Sequence, residues 1–216
     1  MELAFGESGL LPAVVQDRLT GQVRMVGYMS RESLAATLRT GRATFFSRSR
    51  SELWEKGQSS GNTLQVVSLH ADCDADTILV LVDPTGPTCH TGTPSCFFRR
   101  IGADGTLGDE AGCATTFLEE LEREIDARKQ SVGSKSYTRH LLDGGAARIG
   151  EKIREEADEL ARAIESESDD RVASEAADVL YHAMVGLASR GVSFRDVIAR
   201  LAARAGTSGH DEKARR

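Results

Sequence analysis

The sequence of 216 residues lacks the features that mark several specialised classes of protein. No apolar run approaches the ~18 residues that a membrane-spanning helix needs, and the longest strand-like stretch runs from Ile78 to Val82. Prolines number only 4 and aromatic residues make up 5%, whereas 40% of the residues are hydrophobic. This balance excludes collagen-like, membrane-embedded and largely disordered chains and predicts a globular protein.

A large excess of charge of one sign is also missing. The formal net charge is −6, with 10 basic and 13 acidic residues up to Glu110 and 17 basic and 20 acidic residues after it. Since neither part is basic, we expect no nucleic acid partner, although a few placed arginines and lysines could still bind a small phosphate ligand.

Signals for export are not found. Met1 to Phe5 contain neither a cationic segment nor a small-residue cleavage site, so we expect a cytoplasmic protein. Its four cysteines stand at positions 73, 89, 96 and 113. In a reducing compartment these are more readily metal ligands or catalytic thiols than parts of a disulfide framework, and Cys113 is expected to be a bystander.

Two contrasting textures predict two domains. Residues 1–102 favour strands and turns, and one helix is expected between a Ser30 cap and Gly41. The predicted strands cover 23–29, 43–48, 64–71 and 77–82. This part is expected to be a mostly β, or α+β, metal-binding domain.

The rest of the chain predicts an all-α helical bundle. The glycine-rich residues 99–112 are typical of an exposed linker, which we place at 103–112. The bundle domain then covers 113–206, and 207–216 form a polar tail. The predicted helices cover 116–129, 136–142, 146–166, 170–189 and 193–205.

Three aspartates alternate with other residues just before a predicted apolar strand. If the segment is extended, Asp72, Asp74 and Asp76 lie on one face and Cys73 lies on the other. Carboxylate oxygens suit Mg²⁺ and a thiolate suits Zn²⁺, so two metal sites are chemically more natural than one mixed site. The alternative is a solvated acidic turn.

Two further thiols lie seven residues apart in the glycine- and proline-rich segment 86–96. With Cys73, Cys89 and Cys96 offer three thiolates, and three protein ligands plus a water form a catalytic type of zinc site. His90 could instead complete a closed site of four ligands. Because simultaneous binding by the adjacent Cys89 and His90 is awkward, we favour His90 as a general acid or base.

A turn with a cation, hydroxyl groups and glycines occupies residues 54–62, and two guanidinium groups lie just upstream. Groups of this kind can approach and bind a phosphate. The candidate substrate contacts in this region are Arg48, Arg50, Trp54, Lys56, Ser60 and Asn62.

Three motifs follow one another in this part: W-x-K-G-x-x-S-G-N at 54–62, D-C-D-x-D at 72–76 and G-P-x-C-H-T-G-x-x-S-C-F at 86–97. In this order they resemble the phosphoribosyl-AMP cyclohydrolases of histidine biosynthesis, over about residues 10–98. The resemblance implies zinc-dependent attack of water on C6 of an adenine ring that carries a ribosyl phosphate on N1, with Lys56 and His90 as catalytic groups. It also implies a homodimer whose interface holds the zinc between Cys73 of one subunit and Cys89 and Cys96 of the other.

The predicted helix 146–166 combines an apolar stripe with acidic residues. Glu156 lies at the margin of the stripe and Glu159 lies next to it. The apolar positions are spaced 4, 4, 3 and 4 residues apart and are Ile149, Ile153, Ala157, Leu160 and Ile164.

The predicted helix 170–189 is apolar over most of its circumference and leaves Glu175, Asp178 and His182 in a wedge of about 60°. An acidic wedge of this kind is unfavourable unless it is paired or binds a cation. Together with Glu156 and Glu159, the wedge can present four carboxylates to a shared Mg²⁺. The alternative is that the glutamates of the first helix form solvated ion pairs.

The segments S-Y-T at 136–138, K-I-R-E-E at 152–156 and E-A-A-D-V-L-Y-H at 175–182 resemble phosphoribosyl-ATP pyrophosphatase, over about residues 114–205. That family is similar to the all-α nucleoside-triphosphate pyrophosphohydrolases, in which Mg²⁺ assists attack of water between the α- and β-phosphates. The resemblance implies that Glu175 acts in catalysis and that Lys152 and Arg139 lie near the phosphates. The implied Mg²⁺ ligands are Glu156, Glu159, Glu175 and Asp178.

Together the resemblances predict a bifunctional hydrolase of phosphoribosyl nucleotides. The helical domain would convert phosphoribosyl-ATP to phosphoribosyl-AMP and pyrophosphate, and the N-terminal domain would open the N1–C6 bond to give the formimino-aminoimidazole carboxamide ribotide. One alternative is a housekeeping nucleoside-triphosphate pyrophosphatase with a zinc-stabilised interaction domain. Another is a zinc-stabilised interaction module joined to a helical dimerisation bundle.

Overall fold

The computed structural model describes residues 2–111, 115–131 and 136–205. The chain divides into two compact units, residues 1–116 and 117–216. The predicted layout of a sheet-rich region followed by a helical region is confirmed. Cys113 and the predicted polar tail lie outside the described residues.

A four-stranded sheet forms the centre of the first unit. In chain order the elements of the whole unit are β1 Leu11–Asp17, β2 Val23–Met29, α1 Arg31–Thr40, β3 Thr44–Ser47, β4 Glu52–Glu55, β5 Leu64–Ala71, β6 Ile78–Pro84, β7 Arg99–Ile101 and β8 Leu107–Ala111. The large sheet has the strand order β2-β1-β6-β5, while β3 pairs with β4 and β7 pairs with β8. β1 runs antiparallel to β2 and parallel to β6.

Period-two burial places the core on one face of this sheet. Alternate side chains of the two central strands are buried against the same cluster, which Phe45 and Leu64 extend. The alternating buried residues are Leu11, Ala13, Val15, Ile78, Val80 and Val82.

Two strands of this unit are not among the predicted ones. β1 contains Pro12, and a proline in an apolar run argues against a central strand because it cannot donate to the ladder. In the structure, pairing with β6 begins only at Ala13, so Pro12 lies before the strand becomes central. β4 falls in a segment that the sequence favours as a turn.

The glycine-rich segment assigned to a linker contains a hairpin instead. β7 and β8 pair antiparallel on either side of Asp104-Gly105. Asp104 Oδ1 accepts hydrogen bonds from the backbone N–H and the hydroxyl of Thr106 at 3.1 and 2.7 Å, and Gly105 has φ 81°. An Asp-Gly turn is a known hairpin signal, and as far as residue 111 the predicted exposed linker contains this hairpin.

The second unit contains the five predicted helices, each within one residue of its expected ends. They are α2 Phe117–Gln130, α3 Tyr137–Asp143, α4 Gly145–Ser166, α5 Asp169–Arg190 and α6 Phe194–Arg204. Serine side chains cap α3, α5 and α6, which explains the accuracy of these starts. No helix among the described residues has both the length and the apolar character of a membrane span.

The faces of the two long helices differ from the predicted ones. On α4 the buried positions are Ile149, Glu156 and Ala163, while Ala157 and Ile164 are exposed. The reason is that α4 and α5 pack along each other on the faces that carry the acidic groups. Glu175 and His182 of the polar wedge are therefore internal, Asp178 is exposed, and part of the apolar surface is left outside.

Candidate active sites

A cavity of about 420 Å³ in the sheet-rich unit brings two of the three N-terminal motifs together. Its walls come from β4, from the turn that follows β4 and from the loop after β6. The predicted site residues that line it are Trp54, Lys56, Ser60, Asn62, Cys89, His90 and Cys96.

Two glycines make room for Asn62 beside this cavity. A Cβ on Gly57 would overlap the Asn62 backbone, and a Cβ on Gly86 would overlap the Asn62 side chain. Gly57 also has φ 88°, a conformation that favours glycine. These close approaches join the turn after β4 to the start of the cysteine loop.

Lys56 is the buried cation of this cavity. Burial lowers the pKa of its ammonium group, and the charges of Cys96 and Cys89 oppose that shift. Its Nζ lies 3.5 Å from the carbonyl oxygen of Asn62. A lysine with a lowered pKa can hold or release a proton closer to neutral pH.

The thiol of Cys89 is prepared for ionisation. Burial opposes ionisation, but hydrogen bonds from groups that include Thr91 and Cys96 outweigh burial and lower the pKa of the thiol. The Thr91 hydroxyl donates to Cys89 Sγ at 3.1 Å. Because the thiolate is the form that binds metal, this environment favours a metal ligand. His90 is exposed, with Nδ1 3.9 Å from the same sulfur.

The acidic motif forms a turn between β5 and β6, so the prediction of an extended strand with two faces is wrong. Asp72 Oδ1 accepts from the backbone N–H groups of Asp76 and Thr77 at 3.0 Å each. Burial raises the pKa of Asp72, but these hydrogen bonds outweigh burial, so the pKa is lowered. The turn, rather than strand alternation, gathers carboxylate oxygens of Asp72, Asp74 and Asp76 within 4.8 Å of one another.

Cys73 lies in this exposed turn and does not line the cavity. Among the described residues, no group of three His, Cys, Asp or Glu donors within 4.8 Å contains a cysteine. One chain therefore brings Cys89 and Cys96 to the cavity and leaves Cys73 elsewhere.

The two upstream arginines are not brought to the cavity. Arg48 stacks on the ring of Tyr28, with its Cζ 3.8 Å from the ring centroid. Arg50 pairs with Glu52 at 3.2 Å on the surface. Both guanidinium groups have local partners that the sequence pattern did not indicate.

A cluster of carboxylates lies between α4 and α5 in the helical unit. Glu156, Glu175 and Asp178 offer oxygens within 4.8 Å of one another. Glu156 and Glu175 are buried, whereas Asp178 is exposed. Glu159 is outside this group, and its carboxylate lies 3.9 Å from the guanidinium of Arg162. The structure thus brings three of the four predicted ligands together and leaves Glu159 outside the group.

Two cations neutralise part of this cluster. Lys152 Nζ lies 2.9 Å from Glu156 Oε1, and Arg171 pairs with Glu175. Hydrogen bonds to Glu156 and Glu155 raise the pKa of Lys152. Burial raises the pKa of Glu175, although Arg171 opposes the shift. Arg171 was missed, although its position four residues before Glu175 was a usable signal.

A buried histidine connects the cluster to α3. His182 is 3% exposed, and its Nδ1 lies 2.8 Å from the carbonyl oxygen of Asp178. Since a carbonyl only accepts, Nδ1 carries a hydrogen, and in the neutral ring Nε2 would accept from the Tyr137 hydroxyl, which lies 2.9 Å away. Sequence reasoning placed Tyr137 in a motif without a role.

Arg139 contacts other groups. Its guanidinium pairs with Asp143 at 2.9 Å and donates to the carbonyl of Lys129 at 2.7 Å. Among the described residues its ion-pair partner is therefore Asp143 and not one of the clustered carboxylates.

Two family models match the chain, one in each unit. Residues 25–98 match phosphoribosyl-AMP cyclohydrolase, and residues 118–205 match phosphoribosyl-ATP pyrophosphohydrolase. The matches cover the two units that carry the cavity and the carboxylate cluster.

Curated relatives are similar over nearly the whole chain. A "Histidine biosynthesis bifunctional protein HisIE" of Parasynechococcus marenigrum is 44% identical over 95% of this chain and 93% of its own. A protein of that name from Vibrio parahaemolyticus is 45% identical over 89% of this chain and 88% of its own. The "Histidine biosynthesis bifunctional protein hisIE, chloroplastic" of Arabidopsis thaliana is 44% identical over 99% and 79%.

The fold, the two sites and these matches define a bifunctional hydrolase with a cyclohydrolase unit followed by a pyrophosphohydrolase unit. The chain belongs to the HisIE family of bifunctional histidine-biosynthesis enzymes. Both predicted activities are confirmed, and the housekeeping alternative is disfavoured because each unit matches its own specific family.

Proposed function

We propose that the carboxylate cluster performs the first step and the cavity near Cys89 performs the second. In the first, water attacks between the α- and β-phosphates of phosphoribosyl-ATP, and pyrophosphate leaves. In the second, water adds to C6 of the adenine ring of phosphoribosyl-AMP, and the N1–C6 bond breaks. The observation that carries this assignment is that each unit gathers one distinct set of donors, thiols in the cavity and carboxylates between the helices.

The carboxylate set fits Mg²⁺ by its chemistry. Three carboxylates whose oxygens lie within 4.8 Å leave positions for water and phosphate oxygens, which Mg²⁺ retains. Glu156, Glu175 and Asp178 would hold the ion, which would neutralise charge on the triphosphate. Lys152 would add a cation beside the phosphates, and Glu159 would bind through a rearranged side chain or a water. Arg139 would reach the phosphates only by leaving Asp143.

The thiol set fits Zn²⁺, because Cys89 and Cys96 line one cavity and the pKa of the Cys89 thiol is lowered by its hydrogen bonds, which outweigh burial. Zinc would supply a bound water of lowered pKa. Cys89 and Cys96 would hold it together with Cys73 of a second subunit, because Cys73 of the same chain does not line the cavity. The aspartate turn would bind Mg²⁺ near the shared site.

The remaining cavity residues would bind and protonate the substrate. His90 would remove a proton from the attacking water or return one to the departing N1. Lys56 would hold the developing charge, while Trp54 offers a ring for the base and Ser60 and Asn62 offer polar groups for a ribosyl phosphate. Arg48 and Arg50 would contact a phosphate only after releasing Tyr28 and Glu52.

A homodimer is part of this proposal. Besides the position of Cys73, the helical unit supports it through exposed apolar surface on its long helices. The exposed residues there are Ala157, Ile164, Ala176, Ala177 and Leu180. A second subunit would cover this surface.

A cytoplasmic location is also proposed. None of the described cysteines 73, 89 and 96 forms a disulfide bond, which is consistent with a reducing compartment. The name of the Arabidopsis relative places that protein in the chloroplast, so cell fractionation is the appropriate test.

A crossed pair of substitutions tests the assignment of steps to sites. Cys89→Ala should abolish ring opening and leave pyrophosphate release intact. Ring opening is measured by the absorbance of its product. Glu175→Gln should do the reverse, because it removes charge where the metal-bound triphosphate needs it. Glu167→Gln is the matched control, since Glu167 also pairs with Arg171 but lies on the surface. Loss of both steps in either variant, or of neither, contradicts the assignment.

A further inference from the structure

Arg24 is a buried cation that the chemistry above does not use. It lies in β2 with 7% of its surface exposed. A buried guanidinium is stable only when its donors have partners. Nη1 donates to Gln22 Oε1 at 2.7 Å and lies 3.9 Å from the carboxylate of Asp17, which is 1% exposed.

The other donors of Arg24 bind the loop that carries two thiols. Nε donates to Thr88 Oγ1 at 3.2 Å, and Nη2 donates to the carbonyl of Gly86 at 3.2 Å. Thr88 immediately precedes Cys89, so the guanidinium holds the first flank of the loop.

The backbone of the same strand holds the second flank. The carbonyl of Arg24 accepts from the N–H of Cys96 at 2.8 Å. The hydroxyl of Ser95, which is fully buried, donates to the carbonyl of Val23 at 2.7 Å. One residue of β2 therefore contacts both ends of the cysteine loop.

Bonds within the loop connect the two flanks. The N–H of Thr88 donates to the carbonyl oxygen of Pro94 at 3.2 Å, and the N–H of Cys89 donates to the carbonyl oxygen of Thr93 at 3.1 Å. Because the flanks are joined in this way, fixing them to β2 also fixes the separation and direction of the two thiols.

We propose that Arg24 is a positioning residue that holds Cys89 and Cys96 in the arrangement that binds zinc. The inference rests on the zinc site of the proposed function. It assigns to a guanidinium outside the ligand set a part of the metal affinity, in the manner of outer-shell contacts whose loss lowers affinity by about 10–100-fold. A role in stability alone would lower the melting temperature and leave the zinc affinity of the folded protein unchanged.

The test uses the full chain and measures zinc affinity by competition with a chromophoric chelator. Arg24→Met should lower the affinity roughly tenfold or more, because it removes both side-chain contacts to the loop. Arg24→Lys should lower it less, since lysine keeps the charge but not the forked donors. Thr88→Val removes the Nε contact alone and should give a smaller decrease in the same direction.

Two controls separate positioning from folding. Pyrophosphate release by the same molecules should stay at the wild-type level, because it belongs to the other unit. Arg18→Met removes an exposed arginine that pairs with Asp83 at 3.0 Å, and it should keep wild-type zinc affinity.

Wild-type affinity in Arg24→Met and Thr88→Val would overturn the positioning role while leaving the zinc site in place. If the wild-type chain itself binds no zinc, the zinc chemistry of the proposed function fails together with this inference. If Arg24→Met does not fold, Thr88→Val and Arg24→Lys decide, and unchanged affinity in both overturns the proposal.

Discussion

The hydroxyl of Tyr137 on α3 lies 2.9 Å from Nε2 of the buried His182 on α5, while the bond from His182 Nδ1 to the carbonyl oxygen of Asp178 fixes Nδ1 as a nitrogen that carries hydrogen. The ring edge contacts reinforce the pair, with perpendicular planes and centroids 5.8 Å apart. His182 Nδ1 also lies 3.9 Å from Glu156 Oε1. The orientation of His182 therefore connects α3 to both helices of the carboxylate cluster.

Tyr137→Phe should weaken this connection. A buried ring nitrogen left without its donor costs about 1–3 kcal/mol, so we expect the free energy of unfolding of the helical unit to fall by that amount. Pyrophosphate release should fall with it, while ring opening stays unchanged. Denaturant unfolding and both assays check this. Unchanged stability would show that the bond between Tyr137 and His182 does not stabilise the helical unit.

The aspartate turn should separate zinc binding from Mg²⁺ dependence. We expect the double variant Asp72→Asn, Asp74→Asn to retain zinc but to lose stimulation of ring opening by Mg²⁺, because amides replace two of the three clustered carboxylates. A Mg²⁺ titration of ring opening, with zinc content measured in parallel, tests it. An unaltered Mg²⁺ response would support the solvated-turn alternative.

The ion pair of Lys152 should stabilise the helical unit only over a defined range of pH. Hydrogen bonds to Glu156 and Glu155 raise the pKa of Lys152 above its ordinary value of 10.5. Its stabilising contribution is therefore fully present below that ordinary value and is lost as pH rises through the higher pKa of the folded state. The difference in unfolding free energy between wild type and Lys152→Met should be level from neutral pH to about 10 and should shrink at higher pH. Urea unfolding across this range measures it, and a difference that grows with alkali would contradict the assignment.

The two units should fold separately, because each has its own buried core. We expect fragments 1–114 and 115–216 to retain ring opening and pyrophosphate release, respectively. A cut within 103–108 should be worse tolerated, since it interrupts the hairpin of β7 and β8. Circular dichroism and the two assays on purified fragments check this. A fragment that folds only when its partner is present would show that the cores are interdependent.

The sequence by itself determined the order of the two domains, the ends of the helices and the chemistry of the motifs. Serine caps such as Ser30 and Ser168 act through the neighbouring backbone alone, so helix starts can be predicted from local sequence. The identity of donors also needs no fold, because thiols favour zinc and carboxylates favour Mg²⁺ wherever they stand.

Only the tertiary structure decided which of these groups meet. The face of α4 that becomes buried depends on how α5 packs against it, which is why Glu156 is internal while Ile164 is exposed. Arg24, an unremarkable charge in an apolar strand, contacts Gly86 and Thr88 more than 60 residues further along the chain. Such contacts depend on strand order and loop path, and local sequence carries no direct signal for either.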